Sequence, residues 1–376
     1  ACRDSPDSPR RPPTAACSRH RAAARERPST RRPSSRIPSN HRAMADDALA
    51  NVPDVVKQFV VYFYRHIRER NQYEILSMYE GTFPKLSERY FKSASWPPVE
   101  MVASLVEGDH VFCLLYKELY YRHIFAKLTP TLEQRCEAWD NYCALFNVFL
   151  HGNVNMVLPN QWLWDMVDEF IYQFQSFCQY RSKLAMKSPE EIAMLKGCDQ
   201  IWGALGVMNY LQALIDKSGI EALLKAEREK DEPLAAADLD LAGSNVLRMM
   251  GYYAMPGLLR VHCLLGDYTG ALDAVDPINL HLNGLYTKVP GCYINTAYYV
   301  GFAYMMNKRY TDAVKHISSV LVYIGRTKGN LQRSIHYEQI LKKNEQMYAL
   351  LAICVVLCPQ YRLLEEGVNN SLREKY

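Results

Sequence analysis

The stretch "LLRVHCLLGDYTGAL", at positions 258–272, decides how the fold is read. A short apolar pattern with helical spacing stops at Gly266 and Asp267, and a second pattern begins at once. Glycine often ends a helix because it adopts positive φ without a steric penalty, and aspartate caps the first turn of a following helix. We therefore interpret Gly266 and Asp267 as the turn between two packed helices, in preference to a catalytic or ligand-binding loop.

A shift of 42 residues brings a second copy of this unit into register: "YTGAL" at 268–272 coincides with "YTDAV" at 310–314. The second copy fits the tetratricopeptide pattern, in which small and aromatic residues of one helix pack against a small residue of the next. The first copy is a divergent unit, because Leu259 and His262 replace the glycine and the aromatic residue. Gly301 and Ala313 supply the small residues that closely crossing helices need. The predicted packing positions are Leu258, Ala271 and Val275 in the first copy and Val300, Gly301, Tyr304, Ala313 and Ile317 in the second.

Helical spacing extends over nearly the whole chain from Pro53 onward. A first helix is predicted from Pro53 to near "RERNQ" at 68–72. Further helices are predicted at about 98–107, 109–126, 131–150, 161–185, 189–196, 199–216, 219–230, 244–264, 268–275, 293–306, 310–324 and 333–358. No stretch alternates apolar and polar residues between turn signals, as a strand would. We predict an all-α fold: a right-handed, tetratricopeptide-like solenoid preceded by an N-terminal helical region.

The first 43 residues differ from the rest in composition. They hold eleven arginines against three acidic residues, with seven prolines and no aromatic residue. Such a segment buries too little surface to offset the entropy of ordering, so we predict a disordered leader. We interpret it as translated upstream sequence, because "MADDALANVP" from Met44 reads like a protein start; a basic arm for RNA is the alternative. The predicted regions are 1–43, 44–235 and 236–376, with the second boundary in the charged, alanine-rich stretch at 225–243.

Cysteine usage and apolar run length bear on the compartment. The eleven cysteines are scattered and include no Cys-x-x-Cys pair, and no signal peptide precedes Ala1 or Met44. This pattern favours free thiols in a reducing compartment, so we predict a cytoplasmic protein. The longest apolar run, at 348–358, has eleven residues, whereas a membrane-spanning helix needs about 20.

No motif indicates catalysis or cofactor binding. The glycine patterns that bind phosphates, the zinc-protease pattern and the nucleophile elbow do not occur. Cys354 and Cys358 lie one helical turn apart among aliphatic residues, so we interpret them as core residues and not as metal ligands. His262 takes an aromatic slot of the repeat and is interpreted as a packing residue, not as a base. The sequence predicts a protein without catalytic residues, cofactor or metal.

Three acids share one predicted helix in "WLWDMVDEF" at 162–170. Asp165, Asp168 and Glu169 lie opposite an apolar face, which favours a solvated surface over paired catalytic acids. The 26 tyrosines, often doubled, are amphipathic residues that suit protein interfaces. On a chain without catalytic motifs, this excess indicates a docking role.

A small basic cluster lies around "GRTKGNLQR" at 325–333. Arg326, Lys328 and Arg333 are predicted to lie in a loop that contacts RNA or is simply solvated. Three charges support only weak, salt-sensitive binding to phosphates. The solvated loop is the favoured interpretation.

Three long strings carry a family resemblance. They are "LHGNVNMVLPNQWLWDMVDEFIYQFQSF" at 150–177, "GYYAMPGLLRVHCLLGDYTGAL" at 251–272 and "PGCYINTAYYVGFAYMMNKRYTDAV" at 290–314. Through them, and over 44–376, the sequence closely resembles the L subunits of eukaryotic translation initiation factor three.

The resemblance implies a non-enzymatic scaffold subunit of a complex that binds the small ribosomal subunit and helps to recruit the initiator transfer RNA complex and messenger RNA. It implies helical repeats that lead into a PCI domain, with the E and K subunits as expected partners. The chain ends at "NNSLREKY" before a winged helix is completed, so region 236–376 is expected to reach an incomplete PCI domain with exposed apolar surface near 349–357. A PCI scaffold of the proteasome lid or signalosome type is the alternative, although it lacks the three strings.

Overall fold

Helix α1 (Asp54–Glu69) shows how apolar spacing becomes buried surface. The computed structural model describes residues 52–152, 154–230, 243–278, 288–332, 334 and 336–376, and the predicted leader over 1–43 lies outside them. One face of α1 is buried and carries Val56, Phe59, Val60, Phe63 and Ile67. Spacings of three and four residues place these side chains on a single stripe, which packs away from water.

The described chain then forms helices in quick succession. They are α2 (Gln72–Ser77), a π-helical turn (Met78–Thr82), α3 (Phe83–Tyr90), α4 (Val99–Val102), a 3-10 turn (Ala103–Val106), α5 (His110–Lys127), α6 (Leu132–His151), α7 (Asn160–Ser182), a 3-10 turn (Leu184–Met186), α8 (Pro189–Gly197), α9 (Ala204–Ser218) and α10 (Ile220–Lys230). The helical segment from α2 to α3 was not predicted. Gly81 lies in its π-helical turn and Pro84 in the first turn of α3, where proline is tolerated.

The second half contains the two hairpins indicated by the repeat. Its elements are α11 (Val246–Leu265), α12 (Tyr268–Asp273), α13 (Pro290–Met306), α14 (Tyr310–Leu331), α15 (Tyr337–Leu357), a 3-10 turn (Tyr361–Leu363) and α16 (Glu366–Lys375). Helix α14 runs past its predicted end at 324, although Gly325 and Gly329 are poor helix formers. Burial of Ile324 and Leu331 on one face explains the continuation.

Helix α11 is the centre of the larger core. It packs against α7, α9, α12 and α13, and most of its residues are buried. Gly257 allows the close approach to α7, because a Cβ there would lie 3.0 Å from Val167 Cγ1 and 3.1 Å from Ile171 Cδ1.

Two apolar clusters follow each other along the stack. The larger one includes residues from Val52 to Ala303, and the second one includes residues from Ile294 to Leu372. Helix α13 contributes to both clusters and so joins them. The all-α, solenoid-like fold is confirmed, with no strand among the described residues. The larger cluster includes residues from both sides of position 235 and so does not mark a boundary there. The division at 235 stays a prediction.

The C-terminal end of α15 exposes apolar side chains, as expected near 349–357. Ile353 is 48% exposed, Val356 78% and Leu357 56%. These exposed residues do not form a membrane span. None of the helices described above is both long enough and apolar enough to cross a bilayer.

Candidate functional site

The predicted packing positions lie in the hairpins α11–α12 and α13–α14. Those that are buried are Leu258, Ala271, Val275, Val300, Gly301, Ala313 and Ile317. Tyr304 is half-buried: its ring meets the His316 ring edge-on at 6.2 Å between centroids, and the Arg309 guanidinium carbon lies 4.6 Å from its centroid. These side chains pack helix against helix.

The turn residues use their polar groups within the turn. Gly266 has φ of 85° at the end of α11. Asp267 caps the start of α12, where its Oδ1 accepts a hydrogen bond from Gly270 N at 2.9 Å and its Oδ2 lies 2.9 Å from His262 Nδ1. The Gly270 hydrogen bond and the neighbouring His262 lower the pKa of Asp267. His262 therefore supports the helix cap.

The basic cluster is not the predicted loop. Arg326 and Lys328 lie in the last turns of α14, so the loop prediction is wrong for these two, and Arg333 lies outside the described residues. The reason is the burial of Leu331, which keeps the helix going to its end. Arg326 pairs with Glu365 at 3.1 Å on an exposed surface. Contact with RNA stays a prediction.

A groove of about 900 Å³ lies between α7 and α15, with further residues contributed by α5, α11 and α13. Its α7 side carries Asp165, Asp168 and Glu169. Its α15 side carries Lys342 and Lys343. The two sides therefore bear opposite charges, and a concave groove of this size suits a ligand or a partner.

The acids of α7 are not the solvated face that the sequence predicts. Asp165 is only 8% exposed and accepts a hydrogen bond from Tyr79 Oη at 2.6 Å. Asp168 accepts from Arg260 Nη1 at 2.7 Å and from Asn295 Nδ2 at 3.0 Å. The prediction is wrong because these partners come from helices far away in sequence, which periodicity within α7 cannot reveal.

Arg122 of α5 is the cation that pairs with the acids at the α7 side of the groove. Its Nε donates to Glu118 Oε1 at 3.0 Å, and its Nη1 lies 3.8 Å from Asp165 Oδ2. Glu118 is fully buried and also accepts from Trp162 Nε1 at 3.1 Å and Tyr142 Oη at 3.3 Å. Burial by itself lowers the pKa of Arg122, but Glu118, Tyr79 and Asp165 raise it well above its ordinary value.

Two other groups of the groove have pKa values close to neutrality. Burial raises the pKa of Glu169 to about 7. Burial also lowers the pKa of Lys343 to about 8, with Arg260 adding to the effect. The Lys343 Nζ lies 3.8 Å from the centroid of the Tyr298 ring and 4.6 Å from that of Tyr299. Stacking on these rings holds the ammonium in place.

His336 connects the start of α15 to the acids of α7. Its Nε2 lies 3.6 Å from Asp165 Oδ2 and 3.1 Å from the amide nitrogen of Gln161. Burial lowers the pKa of His336 and Arg122 acts in the same direction, but Asp165 and Glu80 together outweigh them and raise it above 6.5. The folded protein thus binds this proton more tightly than the unfolded chain does.

His336→Gln is expected to remove a pH-dependent part of the stability. Because the folded pKa is raised, this contribution is fully present below the unfolded value of 6.5 and is lost as the pH rises through the folded pKa. Urea unfolding at about pH 6 and about pH 9 should show the larger difference between parent and variant at the acidic end. The exposed His151→Gln serves as the control. A difference of equal size at both pH values would contradict the expectation.

The described part of the chain shows neither a group of side chains that could bind a metal ion nor a disulfide bond. There, no three His, Cys, Asp or Glu side chains are grouped so that they could hold a metal ion. The cysteines of the same part are free. Cys354 is buried and Cys358 half-buried at the end of α15, which agrees with their interpretation as packing residues.

Comparisons with known proteins give close relatives. A protein named eukaryotic translation initiation factor 3 subunit L from Nematostella vectensis is 49% identical over 335 residues, which are 88% of this chain and 63% of that protein. Proteins of the same name from Drosophila yakuba and Homo sapiens are 46% and 44% identical over 87% and 86% of the chain, and the match covers 61% and 62% of their lengths. The chain thus spans somewhat less than two thirds of the curated relatives that it matches.

A family model agrees with this similarity. The model described as RNA polymerase I-associated factor PAF67 matches residues 134–376. This range includes both hairpins and α7, α11, α13 and α15, which contribute most of the groove. Because the match covers well over half of the sequence, the chain belongs to the PAF67 family.

Proposed function

We propose that this chain is a non-enzymatic scaffold subunit of eukaryotic translation initiation factor 3, which supports recruitment of the small ribosomal subunit and messenger RNA. The observation that carries the proposal is the identity of 44–49% with proteins named subunit L of that factor. The fold supports it, because a stack of helical hairpins offers a long surface for other proteins. We further propose the E and K subunits as partners and the cytoplasm as the compartment.

A scaffold role also agrees with how the polar residues are used. Asp168 is bound by Arg260 and Asn295, and Glu118 accepts hydrogen bonds from three side chains. Groups bound in this way hold helices together and are not poised to transfer a proton. The non-enzymatic assignment rests on this use and on the names of the relatives.

Two other assignments are less favoured. A scaffold of the proteasome lid or signalosome type has the same architecture, but the relatives carry the initiation-factor name. The family description mentions RNA polymerase I, yet it matches residues 134–376, whereas the named relatives match 86–88% of the chain. We therefore base the proposal on the relatives.

Co-purification from eukaryotic cells tests this function. We expect the tagged full chain to bring down initiation-factor subunits, with E and K among them, because the matched region holds both hairpins and most of the groove. Quantitative mass spectrometry would compare these subunits with those of the proteasome lid and the signalosome. Enrichment of lid or signalosome subunits, or recovery of the chain alone, would contradict the proposal.

A further inference from the structure

The groove holds a half-buried ammonium group, that of Lys343, without a carboxylate partner. No carboxylate oxygen of the described residues lies within 4.0 Å of Lys343 Nζ, whose close neighbours are the rings of Tyr298 and Tyr299. Taking a charge out of water is unfavourable unless it is paired. A group of opposite charge that entered the groove would therefore gain from meeting Lys343.

Asp168, the acid whose charge acts on Lys343, is already engaged. Asp168 is bound by Arg260 Nη1 and Asn295 Nδ2, and Arg260 Nη2 also donates to Gln175 Oε1 at 3.2 Å. The charged groups that act on Lys343 are Arg260, Lys342 and Asp168, so three cations, Lys343 included, face one carboxylate. This local surplus of positive charge fits an anionic group.

The same place offers further polar atoms. Three atoms of lining residues are buried without a hydrogen-bond partner in the described part of the chain, and they are Arg260 Nε, Asn295 Oδ1 and Gln346 Oε1. One of them is a donor and two are acceptors. A polypeptide presents both N–H and C=O groups and so matches this mixture.

The charge of the opposite side decides between a peptide and RNA. Asp165, Asp168 and Glu169 line the groove along α7 and would repel a chain of phosphates. A peptide can place one carboxylate near Lys343 and apolar residues elsewhere. Tyr172 and Phe302 also line the groove and offer rings for such apolar residues.

We propose that the groove between α7 and α15 is a docking site for a peptide segment of another protein, in which a Glu or Asp carboxylate pairs with Lys343 and neighbouring apolar side chains pack on Tyr298 and Phe302. The proposal deepens the scaffold role and rests on it, because the peptide belongs to a subunit that the scaffold holds. It assigns a place and a chemistry to one contact.

Two peptide pools test this site on the purified full chain. The pools are random peptides that differ only at a fixed central residue, which is Glu in one pool and Gln in the other. We expect the immobilised chain to retain the Glu pool about tenfold better, as one charge-assisted hydrogen bond would give. The preference should be lost in Lys343→Gln and kept in Lys343→Arg, which retains a cation.

The control is Lys315→Gln, an exposed lysine of α14 outside the groove, which should leave the preference unchanged. Equal retention of the two pools by the parent, or a preference that survives Lys343→Gln, would overturn the proposal. So would a strand of oligouridylate whose retention requires Lys343, because it would make the groove an RNA site.

The pools and the co-purification can fail independently. If initiation-factor subunits co-purify but the Glu pool is not preferred, the groove proposal fails and the scaffold role stands. If the Glu pool is preferred but no such subunit co-purifies, the assignment to the initiation factor fails and the groove remains a peptide site.

Discussion

Replacing Gly251 with alanine is expected to lower the free energy of unfolding by about 1–3 kcal/mol, the usual range for an overpacked core. A Cβ at this position would lie 2.8 Å from the carbonyl oxygen of Leu214 and 2.6 Å from Ser218 Cβ. Ser218 is held in place, since its hydroxyl donates to Ile215 O at 2.7 Å and accepts from Ile220 N at 3.3 Å. Helices α9 and α11 must therefore move apart to admit the methyl group.

Gly325→Ala is the matched control for this prediction. A Cβ at Gly325 meets nothing within 4 Å, so the alanine brings only its better helix propensity and should raise the stability by up to about 1 kcal/mol. Urea unfolding followed by far-ultraviolet circular dichroism would compare both variants with the parent. A Gly251→Ala protein as stable as the parent would show that the two helices are not in close contact.

Gly301→Ala should fall between these two. A Cβ at Gly301 would lie 2.6 Å from Ile317 Cγ1 and 3.0 Å from its Cδ1. These atoms belong to a side chain and not to the backbone, so a small shift of Ile317 relieves part of the overlap. From the most to the least stable protein, the expected order is Gly325→Ala, the parent, Gly301→Ala and Gly251→Ala.

Much of the fold follows from periodicity within single helices. Because apolar residues at helical spacing must be covered, the sequence predicts most of the helices and the all-α class that the structure confirms. The recurrence of "YTGAL" as "YTDAV" 42 residues later indicates the two hairpins. The misses are local: the segment from α2 to α3 contains Gly81 and Pro84, which read as breakers, and the end of α14 contains two glycines.

The groove is harder to predict because its pairs join distant parts of the chain. Arg260 lies 92 residues from Asp168, and Asn295 lies 127 residues from it. A helical pattern shows that Asp165 and Asp168 share a face, but it does not show what packs on that face. One signal of this burial was available in "WLWDMVDEF", where apolar residues surround the acids. A helix that is apolar on most of its circumference is buried.

The largest expected loss is that of Arg122→Met, because Arg122 joins Glu118 of its own helix to Asp165 of α7. This change removes the cation that serves Glu118 and Asp165, both of which are buried. Breaking a buried pair by removing one partner typically lowers stability by about 3–5 kcal/mol, because the other charge stays behind uncompensated. Urea unfolding at neutral pH would measure the loss.

The control is Lys127→Met, which breaks an exposed pair. Lys127 Nζ lies 3.0 Å from Glu88 Oε2, with 44% and 53% of the two side chains exposed. Such surface pairs contribute about 0–1 kcal/mol. Losses of equal size in Arg122→Met and Lys127→Met would mean that the charges around Arg122 are hydrated and that the network is not buried as described.

A double variant separates charge from packing in the Arg122 prediction. Glu118→Gln keeps the shape of the side chain and its acceptor for Trp162 Nε1, but it removes the negative charge that Arg122 compensates. If the uncompensated charge causes the loss, Arg122→Met should be less harmful in the Glu118→Gln background than in the parent. If the two losses simply add, the guanidinium acts by filling space, because a cavity has the same effect whichever residue stands at position 118.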